Sequence, residues 1–153
     1  MATMVGFDPS DQDNNDHQKA KYLPGEKYEF KGKSYRYILV EDANLAVGDV
    51  VMPAAVDNYT VTNDYTGGNA IALIGVGVAT SIITDGQYGF VQVEGVVDAK
   101  VHTDTAAGDP MIGPNATDGT AEVMAAGEEH LVFAFALEAD DTGVAAIRLQ
   151  IGG

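Results

Sequence analysis

The feature that most constrains the fold of this 153-residue chain is that its second half repeats the strand pattern of the first. The offset is 60 residues for a Gly-Asp pair and 58 for two later segments, with Gln150 matched to Gln92. Matches in the same order at a nearly constant offset predict a duplicated β unit. The matching segments are 46–54 with 106–114, 75–81 with 133–139, and 84–95 with 140–153.

The residues inside each copy indicate turns followed by strands. In Gly48-Asp49 and Gly108-Asp109, glycine can adopt a positive φ while the aspartate accepts bonds from nearby backbone amides. Small residues alternate with larger ones around Gly77, as they do in the segment FAFAL at 133–137. Stacked half-units of this kind would bury a Val/Ile/Ala core in a small barrel or sandwich.

The stretch GQYGFVQVEGVVDAKV at 86–101 has the two-residue rhythm of a β-strand. Such a strand can line a binding site, carry Glu94 as a catalytic acid, or serve as framework. The matched second copy has Gly152 where the first has Glu94. A would-be acid that becomes glycine in the other copy favours framework.

The remaining segments complete an all-β prediction. Residues 1–25 are polar and aperiodic and predict a flexible or extended N-terminal arm, and 26–153 form a single β domain. Within that domain we expect a hairpin at 26–41 and pseudo-repeats at about 46–95 and 106–153, with short helical pieces near 42–46 and 122–129. The predicted fold is a compact small β-barrel or sandwich built from two pseudo-repeated units.

The formal charge of −15 is unevenly distributed. Residues 19–36 hold six basic and two acidic side chains, whereas 37–153 hold two basic and seventeen acidic ones. So acidic a body repels phosphate backbones, which argues against nucleic-acid binding. One interpretation is that the net charge keeps the protein soluble by repulsion between copies. The other is that residues 19–36, the basic strip, dock onto an acidic neighbour, such as another copy.

The composition also indicates in which cellular compartment the protein is made. No apolar run reaches the roughly 18 residues of a membrane helix, so no membrane partner is expected. The N-terminal residues lack the pattern of a secretory signal. The absence of Cys removes disulfides, thiolate metal sites and Cys nucleophiles, and indicates assembly in a cytoplasm.

No catalytic or metal-binding pattern is found. His17, His102 and His130 lie far apart with no metal-ligand spacing, and no Ser occurs in a nucleophile elbow. A calcium loop beginning at Asp11 would need Gly and Glu where Asp16 and Tyr22 stand. We therefore predict no enzyme activity, no cofactor and no metal.

The repeat resembles the capsid decoration, or cement, proteins of tailed bacteriophages. The resemblance spans roughly 40–153 and lies in the AxGD turns at 46–49 and 106–109, GFVQVEG at 89–95, and FALEADDTGVAAIRLQI at 135–151. It implies a β protein on the capsid exterior of the virion, assembled in the host cytoplasm. Its partners would be the major capsid protein and itself, as a homotrimer, and it would stabilise contacts between capsid subunits.

Two other classes stay open: another virion part, such as a tail or head-fibre base protein, and a small ligand-binding β-barrel. For capsid or neighbour contact we predict the arm and the basic strip, with aromatic anchors. The alternative is that these aromatic residues only pack the hairpin onto the core. The predicted contact residues are Lys19, Lys21, Tyr22, Lys27, Tyr28, Phe30, Lys31, Lys33, Tyr35 and Arg36.

Overall fold

A computed structural model describes Pro9, Ala20, residues 22–66, Ala70, Ala72 and residues 74–150. Most of the predicted arm, including Lys19 and Lys21, therefore lies outside the described residues. No helix in the described part of the chain is long and apolar enough to cross a membrane.

The described residues form ten β-strands and one short 3-10 helix at Glu129–Leu131, so the predicted all-β fold is confirmed. The predicted helical piece near 122–129 is wrong, because residues 122–123 are extended and the 3-10 turn begins later. The strands are β1 (Lys27–Phe30), β2 (Lys33–Val40), β3 (Val50–Pro53), β4 (Thr60–Thr62), β5 (Gly77–Ala79), β6 (Tyr88–Lys100), β7 (Pro110–Ile112), β8 (Glu122–Val123), β9 (Ala134–Ala136) and β10 (Val144–Gln150).

The first half of the chain closes into a ring of five strands, which we call the first barrel. Strand β2 pairs with β4 in parallel, and β4, β3, β5 and β6 follow as antiparallel neighbours. Residues 88–94 of β6 then return to β2 and close the ring. Closure removes the unpaired edges that an open sheet would expose.

The second half forms a similar ring, the second barrel. Residues 94–100 of β6 pair with β10, and β10, β9, β7 and β8 follow as antiparallel neighbours. A parallel bridge between Val101 and Ala121 brings the chain beside β8 back to the end of β6. Strand β6 therefore serves both barrels, ending one and beginning the other.

The core follows this division. One cluster of buried residues fills the first barrel, including Val40, Val51 and Val91. A second cluster fills the second barrel, including Met111 and Ile147. An aromatic cluster lies between the β1–β2 hairpin and β6. The small residues predicted to lie on one face of 133–137, Ala134 and Ala136, are buried.

The first Gly-Asp turn has the geometry that its sequence predicts. Gly48 has a φ of 90°, and the Asp49 carboxylate accepts the Ala46 amide N–H at 2.8 Å. The Gly48 amide then donates to the Ala79 carbonyl oxygen at 2.8 Å, which attaches the turn to β5. Glycine is needed here because residues other than glycine rarely adopt this φ.

The second Gly-Asp turn repeats these bonds. Gly108 has a φ of 91°, and the Asp109 carboxylate accepts the Ala106 amide at 2.8 Å. The Gly108 amide donates to the Ala136 carbonyl oxygen at 2.8 Å. The two copies therefore start β3 and β7 in the same way.

Strand register changes the offset of both later segments, which the sequence letters put at 58 residues. The match of 75–81 with 133–139 is wrong by one residue, because the Gly-Asp turns donate to Ala79 and Ala136, an offset of 57. Ala79 pairs with Val91 in the first barrel, and Ala136 pairs with Ile147 in the second. Val91 and Ile147 are therefore structural equivalents, with an offset of 56 residues instead of 58. A slip of two residues along a strand keeps every side chain on its own face, which is why the pattern alone could not detect it.

The corrected register changes which residues of β10 are equivalent to two residues of β6. Gln92 is equivalent to Arg148, not to Gln150, and Glu94 is equivalent to Gln150, not to Gly152. Gln92 is buried and donates to the carbonyl oxygens of Glu94 and Val96 at 2.9 and 3.0 Å. These bonds give the strand a framework role at the point where it crosses between barrels.

Candidate functional site

The predicted contact aromatics pack largely inside the chain. Tyr28 and Tyr35 are buried, and burial raises the pKa of the Tyr35 hydroxyl. The Tyr22 ring meets Tyr37 and Phe90 edge to face, with both centroid distances at 5.2 Å. Such pairs add about 0.5 to 1.5 kcal/mol each beyond their buried area. The framework alternative therefore accounts for the positions of Tyr22, Tyr28 and Tyr35.

Lys27 holds the hairpin to β6 through a partly buried ion pair. Its Nζ lies 2.8 Å from Glu94 Oε1, and Ser34 Oγ donates to Glu94 Oε2 at 3.2 Å. The hydrogen bond from Lys27 is the main cause that lowers the pKa of the Glu94 carboxyl group. Glu94 thus acts as an acceptor that fixes the hairpin, which agrees with the framework interpretation of its strand.

The basic side chains at the tip of the hairpin face solvent. Lys31 and Lys33 are exposed, and Phe30 is half-buried. The Lys31 Nζ lies 5.2 Å from the centroid of the Phe30 ring, within the range of a cation–π contact. Among the described residues predicted for partner contact, Lys31 and Lys33 are the exposed ones, and Phe30 lies beside them.

Arg36 lies apart from the tip, in the wall of a cavity at one end of the first barrel. The cavity has a volume of about 230 Å³. Its wall is mostly apolar, and its polar rim includes Asp57 and Asn58. The prediction of Arg36 as a contact residue did not anticipate this cavity. The apolar lining is Ile38, Pro53, Val61, Val76 and Val91.

The first Gly-Asp turn forms the junction between the barrels. Asp49 is only 2% exposed, and its carboxylate forms an ion pair with Lys100 on the shared strand. Asp49 also accepts a hydrogen bond from Asn63 Nδ2 at 2.8 Å. The Lys100 amide donates to the Gly48 carbonyl oxygen at 2.9 Å. Charge-assisted and main-chain bonds together fix one barrel on the other.

Apolar side chains complete this junction. Val50 and Val78, which pair across β3 and β5, are fully buried in the core cluster of the second barrel. The Val50 amide donates to the Gly119 carbonyl oxygen at 2.8 Å. A Cβ atom on Gly75 would lie 2.7 Å from the Phe133 ring, so the two copies also touch closely there.

The second barrel carries two titratable groups whose pKa is raised. His102 Nδ1 lies 2.6 Å from Asp104 Oδ1, and this hydrogen bond is the main cause that raises the pKa of His102. Glu122 is 8% exposed, and burial raises the pKa of its carboxyl group. Within the described residues, no group of three His, Cys, Asp or Glu side chains could hold a metal ion.

Comparison with known proteins gives a likeness of fold. No protein-family model and no curated protein sequence matches the chain. Among solved structures, the chain is similar to the N base of head fibre gp8.5 in bacteriophage phi29, with a TM-score of 0.54 and 16% sequence identity. The similarity covers 77% of this chain and 94% of that chain. The two proteins therefore share most of a fold at low sequence identity.

Proposed function

We propose that this chain is a structural virion protein that attaches to the outside of a tailed-phage capsid and stabilises contacts between major capsid subunits. The observation that carries the proposal is the fold shared with the N base of a phage head fibre over 94% of that chain. The motif resemblance to capsid decoration proteins points to the same outer surface of the head. Both lines indicate binding in place of catalysis.

The basic hairpin tip supplies the contact surface in this proposal. Lys31 and Lys33 project from a tight turn that the ion pair of Lys27 with Glu94 holds against β6. A rigid scaffold lowers the entropy lost when exposed side chains are immobilised at an interface. The capsid surface that fits is acidic, with an apolar recess for Phe30.

A second candidate is the base of a head fibre, which the likeness to the phi29 head-fibre base favours directly. Such a base would bind the shell and carry a further protein outward, without reinforcing the shell itself. A decoration protein raises the heat resistance of the shell, whereas a fibre base leaves it unchanged. Thermal melting of shells with and without the bound protein separates the two.

The main experiment adds purified protein to expanded shells that lack it and measures binding by co-sedimentation. We expect saturable binding, and weaker binding for a Lys31→Gln/Lys33→Gln double variant. A matched control is Thr103→Glu/Ala126→Glu, which changes the net charge equally at exposed sites outside the hairpin. Shells that stay bare at every protein concentration would overturn the proposal.

The contribution of the arm is tested separately. Removing residues 1–19 leaves Ala20 and Tyr22 in place, both of which pack against the aromatic cluster. A loss of shell binding without a loss of folding would assign the contact to the arm. Unchanged occupancy would remove the arm from the mechanism and leave the hairpin.

A further inference from the structure

At the junction, a face of the first barrel around Val50 and Val78 packs on the core of the second barrel. Because the chain is duplicated, the second barrel has an equivalent face and the first barrel has an equivalent receiving surface, and the chain does not join these two. We propose that the remaining pair joins two copies of this chain head to tail. The plug, the face around Phe135 and Leu137 on the second barrel of one copy, would enter the socket, the open cavity of the first barrel of the next copy. This inference goes beyond the proposed function and does not depend on it.

The joined pair shows how such a contact is made. Val50 and Val78 project from β3 and β5 of the first barrel and are buried in the core cluster of the second. Gly48 in the neighbouring turn accepts the Lys100 amide, and the Val50 amide itself donates to the Gly119 carbonyl oxygen. A sheet face with two apolar side chains thus fits against the core of the following barrel.

The second barrel carries the same face without a cover. The pairing of Val50 with Val78 corresponds to the pairing of Pro110 with Phe135. Val78 is 0% exposed, whereas Phe135 is 37% exposed and the nearby Leu137 is 44% exposed. Large apolar side chains at the position of a buried contact mark an interaction surface better than scattered ones do.

The first barrel carries the matching socket. Its cavity is lined by Ile38, Val61, Val76 and Val91. Strand register and backbone bonds make these residues equivalent to four residues of the second barrel, all of them in the core cluster that buries Val50 and Val78. The four equivalents are Ala99, Ala121, Phe133 and Ile147. The cavity therefore lies where the second barrel receives its plug.

The sizes of the unjoined pair also complement each other. The plug has Phe135 where the joined plug has Val78, and the socket has Val76 where the filled one has Phe133. The socket, at about 230 Å³, can hold a phenyl ring, since a cavity of about 150 Å³ accommodates benzene. The socket lining is not smaller as a set, because Ile38 and Val61 stand where the filled socket has Ala99 and Ala121. The fit therefore depends on the larger plug and on the open volume of the cavity.

Charge complements this fit. The plug carries Asp109 beside Pro110, and the cavity wall of the socket carries Arg36. The joined pair uses the equivalent aspartate, Asp49, for its ion pair with Lys100. Both pairs therefore have an aspartate beside the plug and a cation on the receiving barrel. The cations are not at equivalent positions, since Arg36 corresponds to Val97 and Lys100 to Leu39, and the rim of the socket also carries Asp57.

The proposed contact between copies lacks one hydrogen bond that the joined pair within the chain has. Pro110 has no N–H and cannot repeat the bond that Val50 donates to Gly119. The contact between copies therefore depends on inserted apolar side chains more than on main-chain bonds. Because plug and socket are different surfaces, the contact is heterologous and yields either closed rings or filaments.

Two single variants test the proposal by sedimentation over a range of protein concentrations. Phe135→Ala removes the plug. Val76→Phe fills the socket, because the added ring must share it with Ile38 and Val61, which are larger than the Ala99 and Ala121 that accompany Phe133 in the second barrel. We expect each variant to raise the dissociation constant of self-association by at least about tenfold. Ile82→Ala, at an exposed apolar side chain outside both surfaces, is the matched control and leaves self-association unchanged.

Mixing the two variants gives the sharper result. Phe135→Ala retains an empty socket and Val76→Phe retains a plug, so the mixture should form one-to-one dimers that grow no further. Folding of both variants is checked by near-ultraviolet circular dichroism. Leu137→Glu replaces Phe135→Ala on the plug, and Arg36→Glu replaces Val76→Phe in the socket, if either variant fails to fold. A wild type that is monomeric at every concentration, or variants that associate like the wild type, would overturn the proposal.

Discussion

The two Gly-Asp turns have the same backbone and different surroundings. Both close with an amide-to-carboxylate bond of 2.8 Å and a glycine near φ 90°. Asp49 is nevertheless buried in an ion pair with Lys100, whereas Asp109 lies on a partly exposed turn. A Cβ atom on Gly108 would meet nothing within 4 Å.

This difference separates what local sequence determines from what the neighbouring barrel adds. Turn geometry follows from four residues and is duplicated with them. Burial and ion pairing follow from the barrel packed on the turn, and only the first turn has such a barrel within the chain. Substitutions at equivalent or adjacent positions should therefore have unequal effects, and each pair below measures that inequality.

The largest inequality is expected between two phenylalanines on either side of Ala134. Phe133 is buried in the core of the second barrel, so Phe133→Ala should lower the free energy of unfolding by about 3 to 5 kcal/mol. Phe135 faces outward, so Phe135→Ala should cost less than about 1 kcal/mol in the monomer. Urea unfolding of both variants measures the difference, and equal losses would show that Phe135 is also a core residue.

The next inequality is between the two aspartates. Asp49→Ala removes acceptors from Ala46, Asn63 and Lys100 at a buried site, and should cost about 2 to 3 kcal/mol. Asp109→Ala removes one partly exposed bond, and should cost about 0.5 to 1 kcal/mol. Matching losses in thermal or urea unfolding would refute the junction described for Asp49.

A third pair concerns glycines. A Cβ atom on Gly119, which has a φ of 70°, would lie 2.7 Å from Asp49 Oδ1, so Gly119→Ala should cost about 1 to 3 kcal/mol. Gly108→Ala should lower the free energy of unfolding by only about 1 kcal/mol, because the added Cβ atom meets no neighbour and only the positive φ is unfavourable for alanine. In Gly119→Ala combined with Asp49→Ala, the losses should be less than additive, because the clash disappears with the carboxylate. Strict additivity would contradict the contact.

The smallest effect concerns Glu122, a buried carboxyl group that stands where the first barrel has the buried Thr62. Burial raises the pKa of Glu122, so the folded state favours its protonated form. Its contribution to stability is then complete below the unfolded pKa and is lost as the pH rises through the folded pKa. Glu122→Gln should raise the melting temperature at pH 7 by about 1 to 3 °C and have little effect at pH 4. A variant that melts lower at pH 7 would show that the charged form is stabilised instead.

The fold was largely predictable because strands and turns leave local marks. The repeat, the all-β class and both Gly-Asp turns follow from two-residue alternation and from glycine and aspartate at fixed positions. The shared strand was not predicted, since Tyr88–Lys100 reads as one long strand. Its one local mark is Gly95, which has a φ of 95° where the strand changes barrels, because a glycine inside a strand often marks a bulge or bend. The two-residue slip between Gln92 and Arg148 was hidden because it preserves the buried face.

The site was less predictable than the fold. Lys27, Lys31 and Lys33 stood out as a basic strip, but sequence could not tell that Lys27 pairs with Glu94, 67 residues away. The pairing of Asp49 with Lys100 joins residues 51 apart and has no local signal. One signal did exist for the plug: the alternation in FAFAL leaves Phe135 and Leu137 opposite the buried alanines, where a purely solvated face would be polar.

Disulfide trapping tests the head-to-tail contact most directly, because the native chain contains no cysteine. One preparation carries Leu137→Cys on the plug and another carries Asn58→Cys at the rim of the socket, and the two are oxidised separately and together. We predict that the mixture forms a covalent heterodimer much faster than either preparation dimerises alone, and faster than a mixture in which Ile82→Cys replaces Asn58→Cys. Equal rates of cross-linking in all samples would contradict the account.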